Sequence, residues 1–310
     1  MSDFDSKPTE NVCNSNKLPY LSDLTKVRIV KETIRTFSKW YYLSLRRELT
    51  NIMAFSKLDL SGRVAVVIGG TSGIGRALAH GLAEAGADVV PSSRRQEQVE
   101  STAAEIEGLG RKTLRCTSDV ADRESLQELL GMTVADLGKV DILINCAGTT
   151  KRTPTLDVSD DEWEMILETN LTGTLRGCQV FGRHMIENGY GRIINIASLS
   201  TFVSLYEVAA YAASKSAVAS LTKSLAIEWA KKGVNVNAIA PGVFRTALNT
   251  KLLDETPRGQ EFLTRTPMGR FGDVEELAGA AIFLASEAAS FVTGEILVVD
   301  GGFLASGVNQ

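Results

Sequence analysis

From Arg63 onward, short apolar runs alternate with longer stretches of helix-like sequence. The run RVAVVIGG ends in glycine, and the next stretch, GIGRALAHGLAEAGA, has the spacing of a helix closed by Gly86. The same alternation continues through the runs DVVPSSR, KTLRCTSDV, DILINCAG, GRIINIAS, VNVNAIAPG and EILVVDGG. Strands that alternate with helices in this way form βαβ units. The pattern therefore predicts a single α/β domain, with a doubly wound parallel sheet covered by helices on both faces.

The first 57 residues differ from the rest of the chain in charge. They contain ten Lys/Arg and six Asp/Glu, a net charge of +4, whereas the remainder, with 23 basic and 31 acidic residues, carries −8. Apolar residues recur there at three- and four-residue steps from Val27 to Tyr41, which predicts an amphipathic helix flanked by Lys and Arg. We expect an N-terminal extension, residues 1–57, before a domain of residues 58–310. Such a segment packs on its own domain, is a tail with no role, or contacts a membrane surface or a partner through residues 23–50.

Composition narrows the class of protein. The chain has 310 residues, of which 44% are hydrophobic and 23% charged, with a formal net charge of −4. This is the composition of a soluble globular protein, and the acidic balance argues against nucleic-acid binding. Two histidines and four scattered cysteines lack metal-ligand spacing, so we expect no metal site and no disulfide framework, and free thiols favour the cytoplasm. No apolar run reaches the roughly 18 residues of a transmembrane helix.

The first chemical signal is the segment GGTSGIGRA between the first predicted strand and helix. Gly69, Gly73 and Gly75 let the backbone turn tightly and approach a pyrophosphate with no Cβ atom in the way. The helix start then offers free N–H groups and the positive end of the helix dipole to phosphates. At this place in a βαβ pattern the segment predicts a dinucleotide-binding loop.

The end of the second predicted strand bears on the choice of dinucleotide. About 18 residues after Gly75, where NAD-binding sheets carry an acid for the ribose hydroxyls, this chain reads SSRR. Ser93 leaves no carboxylate to repel a 2′-phosphate, and Arg94 or Arg95 could pair with one. We therefore expect NADP in preference to NAD, the alternative being that these arginines are solvated.

The second chemical signal is the sequence YAASK. Tyr211 and Lys215 are four residues apart on a predicted helix and so share one face. A free tyrosine has a pKa of about 10, and a nearby ammonium favours the phenolate, so we expect Lys215 to lower the pKa of Tyr211 and make it a usable acid or base. Ser198, at the end of the strand GRIINIAS, could hydrogen-bond the reacting oxygen.

Taken together and in this order, these features resemble the short-chain dehydrogenase/reductase family over residues 58–306. The resemblance also includes NCAG at residues 145–148, TNLTG around Asn170, PGVFRT at residues 241–246 and VDGG at residues 299–302. It implies a Rossmann-type sheet and an NAD(P)-dependent enzyme that interconverts a secondary alcohol and a ketone.

The resemblance assigns roles to individual positions. It implies that Asn170, Ser198, Tyr211 and Lys215 form a catalytic tetrad. Tyr211 would transfer the proton, Ser198 would polarise the carbonyl, Lys215 would hold the ribose and Asn170 would support a water. The residues expected to bind the dinucleotide are Gly69, Thr71, Ser72, Gly73, Ile74, Gly75, Ser93, Arg94, Asp119, Val120, Asn145, Ala147, Gly148, Tyr211, Lys215, Pro241, Gly242, Val243 and Thr246.

Two positions depart from the family pattern. The family usually has threonine before the first glycine, where this chain has Ile68, and this predicts a loosened turn. Many NADP-preferring members have Arg or Lys where this chain has Ser72, so the expectation of NADP depends on Arg94 and Arg95.

Substrate and assembly follow from weaker signals. Arg245, Lys151 and Arg152 are candidate anchors for a carboxylate or phosphate, unless they are solvated loop charges. The segment from residue 265 to residue 302 is similar to gluconate 5-dehydrogenases and to 3-oxoacyl-thioester reductases. We expect a sugar acid or polyol substrate, with the thioester as the alternative and a non-catalytic cofactor-binding sensor as a remote one.

The family commonly forms tetramers through the Tyr211 helix and the helix around residues 161–187, so we expect a homotetramer or a dimer.

Overall fold

The computed structural model describes residues 55–247 and 249–309. The amphipathic helix expected within residues 23–50 lies outside this part of the chain. Among the helices of the described residues, none combines the length and apolar character needed to cross a membrane.

Six parallel strands form one sheet in the order β2-β1-β3-β4-β5-β6. Their bounds are β1 Val64–Ile68, β2 Asp88–Ser92, β3 Ile142–Asn145, β4 Gly191–Ile196, β5 Val234–Pro241 and β6 Ile296–Val299. All five residues of β1 are buried, as expected of a strand covered on both faces. The predicted doubly wound parallel sheet is confirmed, and the order reverses at β1, where β2 lies on one side and β3 on the other.

The prediction of a seventh strand over KTLRCTSDV is wrong, because this segment does not form a regular strand. Residues 112–119 run beside β2 but form no ladder: the Val89 N–H donates to the Lys112 carbonyl (3.0 Å), and the Ser93 carbonyl accepts from the Ser118 N–H (3.1 Å). Between them lies Pro91, which has no N–H to donate at the position that faces this segment. Proline in the neighbouring strand therefore interrupts the pairing.

Helices cover the sheet on both faces, and the pleat of β1 divides the core between them. The helix bounds are α1 Gly73–Glu84, α2 Gln96–Gly108, α3 Arg123–Leu137, α4 Asp160–Leu167, α5 Gly173–Glu187, α6 Ala209–Trp229, α7 Thr250–Glu255, α8 Pro257–Arg265 and α9 Ala278–Ala285. Ala65 and Val67 contribute to a cluster with α1, α2 and α9, whereas Val66 and Ile68 contribute to a cluster with α3, α5 and α6.

The helix expected around residues 161–187 is divided in two. A π-helical segment, Glu168–Thr172, separates α4 from α5 and contains Asn170. Such π-helical turns are costly and frequently occur at functional sites. The segment brings Asn170 toward the carboxyl edge of the sheet, where ligands bind in open α/β folds.

Candidate active site

The glycine loop between β1 and α1 leaves space for a ligand. Gly69 (φ +78°) and Gly73 (φ +47°) adopt left-handed conformations that favour glycine. A Cβ atom on Gly75 would lie 2.0 Å from the carbonyl oxygen of Gly69, so α1 begins in direct contact with the loop. The Ser72 side chain makes no capping hydrogen bond. The first N–H groups of α1, including those of Ile74 and Gly75, therefore remain for an anion, and the loop fits a pyrophosphate.

Main-chain hydrogen bonds hold this loop despite the departure at Ile68. The Gly69 N–H donates to the Ser92 carbonyl at 2.7 Å, and the Ile68 side chain is buried in the core. Loosening of the turn is therefore not observed. The Thr71 hydroxyl donates to the Ser93 hydroxyl at 2.7 Å and joins the loop to the end of β2. The Thr71 side chain therefore stabilises the loop, and the Thr71 main-chain groups remain available to a cofactor.

The residues after Ser93 face solvent. Arg94 and Arg95 are exposed, and neither forms an ion pair with another described residue. Their guanidinium groups are therefore available to a phosphate at the carboxyl end of β2.

Asp119 and Val120 form a tight turn beyond the segment beside β2. One oxygen of Asp119 accepts the Ala121 N–H (3.0 Å), and the Asp119 N–H donates to the Ser125 hydroxyl (3.1 Å). A Cβ atom on Gly173 would lie 2.7 Å from the Cβ atom of Val120, so the Val120 side chain packs directly against Gly173. The turn is thus braced against α3 and α5, with the second carboxylate oxygen of Asp119 free of hydrogen bonds within the described residues.

The segment after β3 lies between the glycine loop and the catalytic residues. A Cβ on Gly69 would lie 2.6 Å from the Ala147 nitrogen, and one on Gly148 would lie 3.6 Å from the Lys215 Nζ. The Asn145 side chain, however, is buried and donates to Asn195 Oδ1 at 2.9 Å. The Asn145 side chain therefore joins β3 to β4 inside the core, and any contact of Asn145 with the cofactor is left to its main chain.

Asn170 is fully buried and joins three segments. Its Oδ1 accepts the Thr149 N–H (2.7 Å), and its Nδ2 donates to the Thr149 carbonyl (2.9 Å) and to the Ser214 hydroxyl (3.0 Å). The amide therefore fixes the segment after β3 to α6. The Asn170 side chain holds the site in place, and within the described residues it makes no hydrogen bond to Tyr211.

Ser198 and Tyr211 meet at the end of β4. Ser198 is buried, with an extended backbone, and its Oγ accepts the Ser200 N–H at 3.1 Å. Burial raises the pKa of Tyr211 above its ordinary value of 10, and the Ser198 hydroxyl beside the phenol partly lowers it. At neutral pH the phenol is therefore protonated and ready to donate.

Lys215 is buried beneath the tyrosine. Its Nζ donates to the Ile196 carbonyl at 2.7 Å and lies 5.8 Å from the centre of the Tyr211 ring. Burial lowers the pKa of Lys215 from 10.5 to about 8. The Tyr211 pKa is therefore raised and not lowered, contrary to the expectation from its spacing to Lys215, because burial dominates both groups.

The loop after β5 closes on the glycine loop. A Cβ on Gly73 would lie 3.5 Å from Thr246 Cγ2, and the Thr246 N–H donates to Asn249 Oδ1 at 2.8 Å. The Gly242 N–H donates to the Val299 carbonyl (2.8 Å) at the end of β6, which holds Pro241, Gly242 and Val243 along this edge. The structure thus brings together residues 69–75, 147–148 and 241–246 around the Tyr211 and Lys215 side chains.

The basic residues expected as substrate anchors all have carboxylate partners. Lys151 pairs with Glu162 (2.6 Å), Arg152 with Glu207 (2.5 Å) and Arg245 with Asp254 (2.5 Å). Sequence reasoning missed Arg258, in the first turn of α8. Thr256–Pro257 is a helix-start signal that places Arg258 in the first turn of a short helix, but only the hydrogen bond from Arg258 to the Tyr206 carbonyl connects it to the segment before the Tyr211 helix.

Comparison with known proteins agrees with this geometry. The model of a protein family described as enoyl-(acyl carrier protein) reductase matches residues 69–304. The gluconate 5-dehydrogenase of Gluconobacter oxydans (strain 621H) is 40% identical over 248 residues, which cover 80% of this chain and 97% of that protein. The D-threitol dehydrogenase of Mycolicibacterium smegmatis is 41% identical over 244 residues, which cover 79% and 94%.

A solved structure extends the similarity to the fold. The gluconate 5-dehydrogenase from Burkholderia cenocepacia J2315, in complex with NADP and tartrate, has a TM-score of 0.78 and 40% sequence identity, with 81% of this chain and 98% of that chain covered. Glycine loop, serine, tyrosine and lysine occupy the carboxyl edge of a parallel sheet, and both sequence and structure match such dehydrogenases over most of the chain. The protein belongs to the short-chain dehydrogenase/reductase family.

Proposed function

We propose that this protein is an NAD(P)-dependent oxidoreductase that interconverts a secondary alcohol and a ketone on a sugar acid or polyol. The observation that carries the proposal is the convergence of Ser198, Tyr211 and Lys215 beside the open glycine loop. The similarity to a gluconate 5-dehydrogenase and a threitol dehydrogenase supports the substrate class.

The side chains divide the chemistry between them. When bound, the nicotinamide cofactor supplies or takes up the hydride. Tyr211 delivers the proton to the developing alkoxide in the reducing direction, and its raised pKa keeps that proton in place until the carbonyl is reduced. Ser198 donates to the same oxygen and orients it. Lys215, held by the Ile196 carbonyl, places a cation where it stabilises the phenolate once the proton has left.

We expect NADP to be the preferred dinucleotide. Ser93 carries no charge that would repel a 2′-phosphate, and the exposed guanidinium of Arg94 lies next to it in the chain. The Burkholderia relative contains NADP, which supports this preference.

A 3-oxoacyl-thioester reductase is the second candidate. The family model that matches residues 69–304 is described as an enoyl-(acyl carrier protein) reductase, and this description supports the acyl-thioester substrate class but not the reduction of a ketone. A non-catalytic sensor is disfavoured by the complete set of Asn170, Ser198, Tyr211 and Lys215.

The test measures NADPH oxidation by the full-length protein with 5-ketogluconate and with an acetoacetyl thioester. We expect faster turnover of the keto sugar acid; faster turnover of the thioester would establish the second candidate instead. Tyr211→Phe should lower kcat by about 1,000-fold or more, because it removes the proton donor. Tyr206→Phe, at an exposed tyrosine nearby (74% exposed), is the matched control. Equal loss in both variants would contradict the role of Tyr211.

We also propose that the enzyme is a cytoplasmic homo-oligomer, a tetramer or a dimer. Free Cys116, Cys146 and Cys178 fit a reducing compartment. Trp163 on α4 (39% exposed) and Ile227 on α6 (82% exposed) present apolar surface on the helices expected at subunit interfaces. Sedimentation analysis would measure the number of subunits.

A further inference from the structure

The positive charges around the substrate side of the site are nearly all neutralised. Lys151, Arg152 and Arg245 each lie within 2.6 Å of a carboxylate oxygen. In each pair a protein carboxylate already compensates the positive charge, so a carboxylate ligand would gain less from these cations than from an uncompensated one.

Arg258 is different. It is half-buried in the first turn of α8, and its Nη1 donates to the main-chain carbonyl of Tyr206 at 2.8 Å. No Asp or Glu oxygen lies within 4 Å of its guanidinium nitrogens in residues 55–247 and 249–309. A guanidinium has five N–H donors, so most of its capacity for hydrogen bonding remains open.

The position of Arg258 is fixed relative to the catalytic residues. Gly259 packs on the main chain of α7, where a Cβ would lie 1.9 Å from the Leu253 carbonyl oxygen. The guanidinium lies 5.6 Å from the Phe262 ring centre, and Phe262 packs in one cluster with Leu199, the residue after Ser198. Tyr206, which accepts the hydrogen bond, precedes the start of the Tyr211 helix. Arg258 therefore lies at the rim of the catalytic cleft.

A strained turn holds a second guanidinium nearby. Glu207 has φ +61°, a left-handed conformation that is strained for a residue other than glycine. It is held there because its carbonyl accepts the Thr153 N–H (2.9 Å) and its carboxylate pairs with Arg152.

The resulting cluster carries excess positive charge. Glu207 pairs with Arg152, whereas Arg258 has no carboxylate in contact within the described residues, so these three side chains together carry about one net positive charge at the rim. Burial lowers the pKa of Arg258, the positive charge of Arg152 lowers it further, and Glu207 and Glu261 offset this only in part. An incoming anion would relieve this repulsion.

We propose that Arg258 binds the carboxylate of the sugar-acid substrate and so determines the preference for acids over neutral polyols. This inference rests on the proposed function. Glu207 keeps Arg152 in place as a supporting charge, while Arg258 offers the open fork of donors that matches a carboxylate.

The test is the steady-state reduction of 5-ketogluconate by the full-length enzyme with NADPH. Arg258→Gln removes the charge but keeps an N–H donor for the Tyr206 carbonyl. We expect its KM for 5-ketogluconate to rise about 10- to 100-fold, with kcat and the Kd for NADPH within about threefold of wild type. Arg258→Lys should show a smaller rise, because lysine keeps the charge without the fork. Arg265→Gln, on the same helix but paired with Glu261, should leave KM unchanged.

The possible outcomes separate the two proposals. An unchanged KM in Arg258→Gln would overturn the inference and leave the proposed function intact. A parallel loss of NADPH affinity, kcat and Tm would show a structural role and also overturn it. If the wild-type enzyme reduces the thioester but no keto sugar acid, the proposed function fails, and this inference fails with it.

Discussion

Replacing Gly75 by alanine tests whether close packing of the glycine loop on α1 sets both stability and cofactor binding. The added Cβ would lie 2.0 Å from the Gly69 carbonyl oxygen and 2.9 Å from the Gly69 carbonyl carbon. Ordinary C···O contacts are about 3.3 Å, so the loop would have to move by about 1 Å. The atoms in the way are main chain and have no rotamer by which to yield.

The magnitude follows from this overlap. Overpacking costs about 1–3 kcal/mol, and a clash with main chain belongs at the upper end, about 3 kcal/mol. For a domain of this size that lowers Tm by roughly 6–12 °C. A shift of about 1 Å would also break two hydrogen bonds from N–H groups to phosphate, at about 1.5 kcal/mol each, and raise the Kd for NADPH about 100-fold.

The matched control makes the same substitution at Gly131, inside α3. A Cβ there meets nothing within 4 Å, and the residue is exposed. Alanine is a better helix former than glycine, so Gly131→Ala should stabilise the domain by roughly 0.5–1 kcal/mol and leave the Kd unchanged. Calorimetry gives Tm, and NADPH fluorescence gives Kd. A Gly75→Ala protein with the Tm and Kd of wild type would refute the reasoning.

Two further predictions concern charge in the site. Ser93→Asp should raise the KM for NADPH by about 100-fold and leave the KM for NADH unchanged, because a carboxylate repels the 2′-phosphate. Arg94→Ala should raise the KM for NADPH about tenfold, because it removes a positive charge near that phosphate. Equal effects on NADPH and NADH would argue against this site for the phosphate. Lys215→Met should abolish turnover yet stabilise the cofactor-free protein by about 1–3 kcal/mol at pH 7, because it removes a buried ammonium. The lysine is destabilising while it is charged in the folded state, so this gain should be full below a pH of about 8 and vanish as the pH rises to 10.5, as urea unfolding at several pH values would measure.

The sequence predicts those features that depend on residues close together along the chain. The five apolar residues of β1 and the glycines that follow it each have a local reason, a buried strand or a backbone that needs left-handed φ angles. Tyr211 and Lys215 likewise share a helix face because of their spacing. The alternation of strands and helices was therefore enough to place the glycine loop and the tyrosine helix at one edge of a parallel sheet.

Contacts between distant segments decided the rest. Residues 112–119 have the composition of a strand, but Pro91 in the strand beside them removes the needed donor. The Tyr211 pKa depends on burial, which spacing alone does not reveal.

The rim of the cleft shows the same division most clearly. Arg152 and Arg258 are both arginines in polar loops or helix starts, and the sequence by itself determined that each carries a positive charge. Only the tertiary structure decided that Glu207 neutralises the first and that the second has an open guanidinium. The physical reason is that a charge acts through the partners folding brings within a few ångströms, and those partners come from remote parts of the chain.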